Sequence, residues 1–157
     1  MALMKVKGLT PDDFAVNHPA GRLGKRLTLR VLDLMHGGNQ CPAVPLGSSW
    51  IEVVRAISLG GLGAVNVVDE EGKLAGIITD GDLRRTIEAN ADKSLTNLTC
   101  DRLMTRNPIV ASPDLLAYDA LRLMEDRPSQ ISVLPVVDEK RACLGLIRLH
   151  DIVRSGL

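Results

Sequence analysis

The stretch Gly76-Ile77-Ile78-Thr79-Asp80-Gly81-Asp82-Leu83-Arg84 returns 69 positions later as Gly145-Leu146-Ile147-Arg148-Leu149-His150-Asp151-Ile152. Leu34-Met35 and Leu103-Met104 keep the same offset, as do Val67-Val68-Asp69 and Val136-Val137-Asp138. A unit that recurs at a fixed spacing is an internal duplication, so the fold must consist of two similar halves. A half of about 60 residues buries a core poorly alone. The two halves are therefore expected to pack sheet against sheet about a pseudo-two-fold axis.

Each half reads as β-α-β-β-α, an α+β architecture. In the first, Ser48 or Ser49 can cap a helix that carries Trp50, Val53, Val54 and Ile57 on one face. Gly60-Gly61 ends it. Ala64 to Val68 and Leu74 to Ile78 are strands around the turn Asp69-Glu70-Glu71-Gly72. In the second, Ser112-Pro113-Asp114 is expected to cap a helix with Leu116, Ala120, Leu123 and Met124. Asp138-Glu139-Lys140-Arg141 is the hairpin turn and Ala142 to Ile147 the strand. A short leading strand is expected near Ala43-Val44 and near Ile109-Val110. Residues 31–90 form the first repeat, 91–98 a polar connector and 99–157 the second. Upstream, Thr10-Pro11-Asp12-Asp13 has the form of a helix start. His18-Pro19-Ala20-Gly21-Arg22-Leu23-Gly24 breaks that helix, and the basic run Lys25 to Arg30 reads as a linker.

Composition excludes several functions. Lys+Arg and Asp+Glu are both 19, which argues against a general nucleic-acid or membrane-surface binder. One Trp, one Tyr and one Phe leave few platforms for stacking bases, so the core is aliphatic. No apolar run approaches the roughly 20 residues of a membrane span. Cys41, Cys100 and Cys143 are odd in number and widely spaced, which suits a reducing cytoplasm better than a disulfide framework or a zinc site. His18, His36 and His150 have no ligand spacing, so no metal is expected. There is no nucleophile–base pair, no Gly-x-Ser-x-Gly and no glycine-rich phosphate loop, hence no independent catalytic site.

What remains is the strand–helix corner. Thr79 and Asp82 are spaced as a helix N-cap and its N3 residue, beside free N–H groups at the positive end of a helix dipole. A capping box alone accounts for that pair. Arg84 and Arg85 taken singly read as a solvated helix face. Arg148 stands at the N-cap position of the second copy, yet Asp151 is kept. An arginine there could pair with phosphate or carboxylate.

These residues, with Asp33 to Met35, resemble a tandem pair of cystathionine-β-synthase (CBS) domains over roughly residues 31 to 157. The resemblance implies a nucleotide-type effector held between the halves, with the motif aspartate on ribose hydroxyls and the threonine and nearby N–H groups toward phosphate. The contacts it implies are Ala64, Asn66, Thr79 and Asp82 in the first half, with Arg84 beside them. In the second they are Ser132, Pro135, Arg148, His150 and Asp151. Arg148 departs from the usual serine or threonine.

Gly8 to Ala15, His18 to Gly24 and Leu27 to Met35 resemble the joint between the two domains of bacterial arabinose-5-phosphate isomerases. On that resemblance residues 1–30 are the end of an isomerase domain and a linker, and His18 matches a catalytic histidine of the intact parent. The parent would interconvert D-ribulose 5-phosphate and D-arabinose 5-phosphate, on the route to Kdo and lipopolysaccharide. The chain alone is expected to be no enzyme. The effector implied is CMP-Kdo, or AMP or ATP, with no other cofactor. A cytoplasmic homodimer is expected, with a tetramer for the intact enzyme. The alternative is a structural, oligomerising module that binds nothing.

Overall fold

The computed structural model describes residues 21–157. The expected helix start at Thr10-Pro11-Asp12-Asp13 and the candidate His18 lie outside the described residues.

The basic run that reads as a linker is helical in its first part: Arg22–Thr28 forms α1. Gly24 is buried, α1 packs on a later helix, α6 (Ala117–Glu125), and the Arg26 guanidinium lies 4.6 Å from the centre of the Tyr118 ring. Packing on a neighbour outweighs the weak local signal of a basic run.

The chain continues through a single turn α2 (Val31–Leu34), β1 (His36–Gly37), a 3-10 turn (Gly38–Gln40) and β2 (Ala43–Pro45). Then come α3 (Trp50–Gly60), β3 (Ala64–Val68), β4 (Leu74–Thr79) and α4 (Asp80–Ala89). The second repeat opens with α5 (Cys100–Leu103) and β5 (Thr105–Arg106). After α6 it ends in β6 (Val133–Val137), β7 (Cys143–Arg148) and α7 (Leu149–Arg154). Ser49 caps α3 with a reciprocal Glu52 contact, and Gly61 closes it in the left-handed region.

The strands form two sheets, ordered β2-β3-β4-β5 and β1-β7-β6. The opening strand of each repeat has therefore crossed to the sheet of the other. β1 runs antiparallel to β7, with Gly37 opposite Gly145, and β5 runs antiparallel to β4, with Arg106 opposite Gly76. The two motif glycines sit at these crossings. A Cβ on Gly76 would lie 2.7 Å from the Thr105 carbonyl oxygen, and one on Gly145 would run into the His36 backbone.

Two cores follow from the exchange. Val44, Val53, Ile57, Val65, Val67 and Ile78 of the first repeat enclose Cys100, Leu103 and Met104 of the second. Ala117, Met124, Leu134, Val136, Ile147 and Ile152 of the second repeat enclose Val31 of the first. A third cluster, Leu62, Ala64, Ile77, Val133 and Leu146, joins the sheets.

Two local expectations fail for one reason. Ser112-Pro113-Asp114 does not cap α6, which begins at Ala117 without a side-chain cap. The backbone from Pro113 to Ala117 is instead bonded to residues 29 to 32, where the chain enters the first repeat: Val31 N–H donates to Leu115 O, Leu32 N–H to Pro113 O, and Ala117 N–H to Leu29 O. The strand expected at Ile109-Val110 reduces to one bridge between Ala111 and Val136, whereas Ala43-Val44 is a strand, parallel to β3.

Candidate functional site: two unequal clefts

The strand–helix corners β4–α4 and β7–α7 occupy equivalent places at the seam. At the first, the Thr79 hydroxyl accepts from the Asp82 N–H at 3.3 Å. Asp82 Oδ2 accepts from the Thr79 N–H at 2.8 Å and from its hydroxyl at 3.0 Å. The other oxygen, Oδ1, accepts from Arg85 Nη2 at 2.6 Å. Arg85 is 64% exposed, so this pair contributes no more than about 1 kcal/mol and yields easily to a better donor.

This corner opens on a cavity of about 720 Å³. Its floor is aliphatic, from Leu62, Ile77, Ile131, Val133 and Pro135. The α4 N-terminus supplies Thr79, Asp80 and Asp82, and Arg84, Arg85 and Arg127 bring three guanidinium groups to its rim. Arg127 Nε has no hydrogen-bond partner among the described residues. Across from α4 stand Thr105, on the exchanged β5, and Asn107, whose φ of 47° places it in the left-handed region.

The second corner is chemically different. Arg148 Nε and Nη2 donate to the two oxygens of Asp151 at 2.7 and 2.8 Å, and His36 Nε2, from the exchanged β1, lies 2.8 Å from Oδ2. The Arg148 hydrogen bonds, opposed by burial and helped by His36, hold the Asp151 carboxyl below the usual carboxylate range. The surrounding space is two shallower depressions, of about 450 Å³ beside Arg148 and His150 and about 670 Å³ beside His36 and Cys41.

The residues expected from the sequence therefore regroup. Thr79, Asp82 and Arg84 of the first half meet Ser132 and Pro135 of the second in one cleft. Arg148, His150 and Asp151 lie at the other. Ala64 and Asn66 reach neither cleft with their side chains, because both are completely buried in the seam. Asp80, Thr105, Asn107 and Arg127 were not singled out. Thr105 and Asn107 follow from applying the offset to His36 and Gly38 once the strand exchange is known, and Gly38 shares the left-handed conformation at φ 57°. Arg127 carries no sequence signal.

The CBS domain profile matches residues 31–89 and again residues 100–157. The chain belongs to the CBS domain family, as a tandem pair. Across all 157 residues it is 42% identical to arabinose 5-phosphate isomerase KdsD of Pseudomonas aeruginosa and 37% identical to that of Escherichia coli strain K12, matching their C-terminal region. It spans 47% and 46% of those proteins, just under half the length of the curated relatives it matches. Among solved structures, CBSX2 in complex with AMP superimposes with a TM-score of 0.67 at 22% identity, over 82% of this chain and 96% of that one. The CBS domain pair of protein MJ0100, in complex with 5′-methylthioadenosine and S-adenosyl-L-methionine, gives 0.66 at 29% identity, over 80% and 93%. Like these, the fold is mixed α and β with two sheets. None of the described helices is long and apolar enough to cross a membrane.

Proposed function

We propose that the chain is the regulatory half of an arabinose-5-phosphate isomerase and binds one nucleotide-type effector, in the first cleft. The observation that carries this is the asymmetry of the corners. At the first, a helix N-terminus and a displaceably paired carboxylate face a cavity of ligand size, about 720 Å³. At the second, the equivalent carboxylate is held on both oxygens by Arg148. In the first cleft Asp82 would accept the ribose diol, as an acceptor-only group suits. Thr79 and the α4 N–H groups would take a phosphate. None of the described residues lining this cleft is aromatic, so the base would lie on the aliphatic floor.

The guanidinium groups of Arg84, Arg85 and Arg127 suit a second anionic group. CMP-Kdo supplies one as its sugar carboxylate, ATP as further phosphates, and AMP has none. The similarity to isomerases on the route to Kdo supports CMP-Kdo; the adenosine ligands of MJ0100 support an adenine nucleotide. In this reading residues 1–30 are the end of the isomerase domain and its linker, with His18 catalytic in the intact enzyme alone. Residues 31–90 and 99–157 are the repeats and 91–98 their connector. The chain by itself turns over no sugar phosphate, works in the cytoplasm and forms a homodimer, within a tetramer of the intact isomerase.

Calorimetry with CMP-Kdo, ATP and AMP tests the proposal. Saturable heat at one site per chain is expected. Asp82→Ala should weaken binding by about 10- to 150-fold, the loss of one hydrogen bond to a charged group. Asp151→Ala should leave it within about threefold. If none of the three nucleotides gives saturable heat, the pair is a structural module.

A further inference from the structure

Asn66 is completely buried at the seam between the sheets. Its Nδ2 faces three acceptors: Gly145 O at 2.9 Å, Cys143 Sγ at 3.1 Å and Cys41 Sγ at 3.6 Å. One amide nitrogen thus gathers two thiols from different repeats. Cys41 follows the 3-10 turn after β1, in the first repeat. Cys143 opens β7, in the second. The strand exchange keeps them together: β1 is paired to β7 at Gly37 and Gly145, and the turn packs against β7.

Both cysteines are half-buried, and their thiols differ in ionisation. Cys41 borders the open depression with His36, Asn39 and Gln40. A hydrogen bond from the Cys143 thiol, opposed by burial and assisted by Asn66, brings the Cys41 thiol down to about 7. Cys41 and burial push the Cys143 thiol upward. Near neutral pH a large fraction of Cys41 is therefore thiolate beside a protonated partner, the arrangement that separates an attacking from a resolving cysteine. Cys100 is fully buried in the first core, and burial raises its thiol.

We propose that Cys41 and Cys143 are a reversible dithiol–disulfide pair that links the two repeats, with Cys41 attacking first, Cys143 resolving, and a low-molecular-weight disulfide such as glutathione disulfide as the oxidant. The Cys41 thiolate attacks one sulfur of the oxidant, whose S–S bond breaks. One thiolate leaves and takes up a proton, and Cys41 holds the other half as a mixed disulfide. Cys143 then gives its proton to solvent and attacks Cys41 Sγ, which expels the second thiolate. Two protein thiols and one small disulfide become one protein disulfide and two small thiols. The bridge joins the turn after β1 to β7 covalently. In a reducing compartment it would be transient, a response to oxidation rather than a structural staple. The inference is independent of the effector.

The test is to incubate the full chain with glutathione disulfide at pH 7.5, block free thiols with N-ethylmaleimide, and digest with trypsin. The expected product joins the fragment 31–55 to the fragment 142–148, while 94–102, which contains Cys100, carries maleimide. Dithiothreitol should restore both fragments. Cys143→Ser should stop the reaction at a glutathione adduct on Cys41. Separate adducts on Cys41 and Cys143 with no joined fragment would overturn the proposal, as would joined fragments found only in disulfide-linked dimers. Should Cys143→Ser fail to fold, the order of attack is read on the unmutated chain by iodoacetamide. Half-maximal labelling rate of Cys41 near pH 7 supports it. A rise only around the ordinary thiol value of about 8.5 overturns it.

Discussion

Replacing Asp151 by alanine removes a carboxylate shared by two repeats. Two hydrogen bonds from Arg148 and the contact with His36 go together. Hydrogen bonds to charged groups contribute roughly 1.5–3 kcal/mol each when shielded, and exposed ion pairs about 0–1. With Asp151 16% exposed, Arg148 26% and His36 25%, the three contacts fall between those limits. They should together contribute about 2 kcal/mol. The pH dependence has a defined sign. Asp151 is held below the usual carboxylate range in the fold. Its contribution is therefore complete above the unfolded value, about 3.9, and is lost as pH falls through the folded one. Urea unfolding of both proteins, followed by Trp50 fluorescence at pH 7, 5, 4 and 3.5, should show a constant gap down to about pH 5 that narrows below about 4. A gap under about 0.5 kcal/mol at pH 7, or one equally wide at pH 3.5, would refute the reasoning.

Other outcomes follow from packing. Gly145→Ala forces a methyl into the His36 backbone, which cannot move aside like a side chain. It should cost about 1–3 kcal/mol in a urea melt and loosen β1, read as faster amide exchange at Gly37. Met124 is fully buried in the second core. Met124→Ala should cost about 2–5 kcal/mol by the same melt.

The hairpins and the corners were legible because their signals are local. Short apolar runs on either side of the turns Asp69 to Gly72 and Asp138 to Arg141 mark β3–β4 and β6–β7, and the Thr79–Asp82 spacing marks the start of α4. The strand exchange was not legible. β1 and β5 are two residues each, too short for any periodicity, and their partners lie in the other repeat. From that one gap came the misplaced start of α6, whose preceding backbone is taken up by residues 29 to 32. The meaning of Arg148 was only half visible. Its motif position suggested anion binding, but its guanidinium closes on Asp151, three residues along the same chain. Arg127 was invisible because it follows α6 in a loop with no motif, and only the fold carries it to the first cleft.

The same exchange gives an effector in the first cleft a route to whatever precedes Gly21. One wall of that cleft is α4, from the first repeat; the other comprises Arg127, Ser132 and Pro135 of the second. A ligand bonded to both sets the position of one half against the other, and it regulates only if it prefers one of two such positions. The segment from α1 to β1 belongs by sequence to the start of the chain, yet it is bonded to the second half at Val31, Leu32 and Ala117 and packs through α1 on α6. A shift of the second half therefore carries α1 with it, without any path through the first repeat's own core. Hydrogen exchange with and without a bound nucleotide distinguishes this from a local effect. Protection confined to the amides of residues 79–90 would mean that the ligand orders α4 alone, and the route would fail. Altered exchange also at the Val31, Leu32 and Ala117 amides, some of them far from the cleft in sequence, is the expected result.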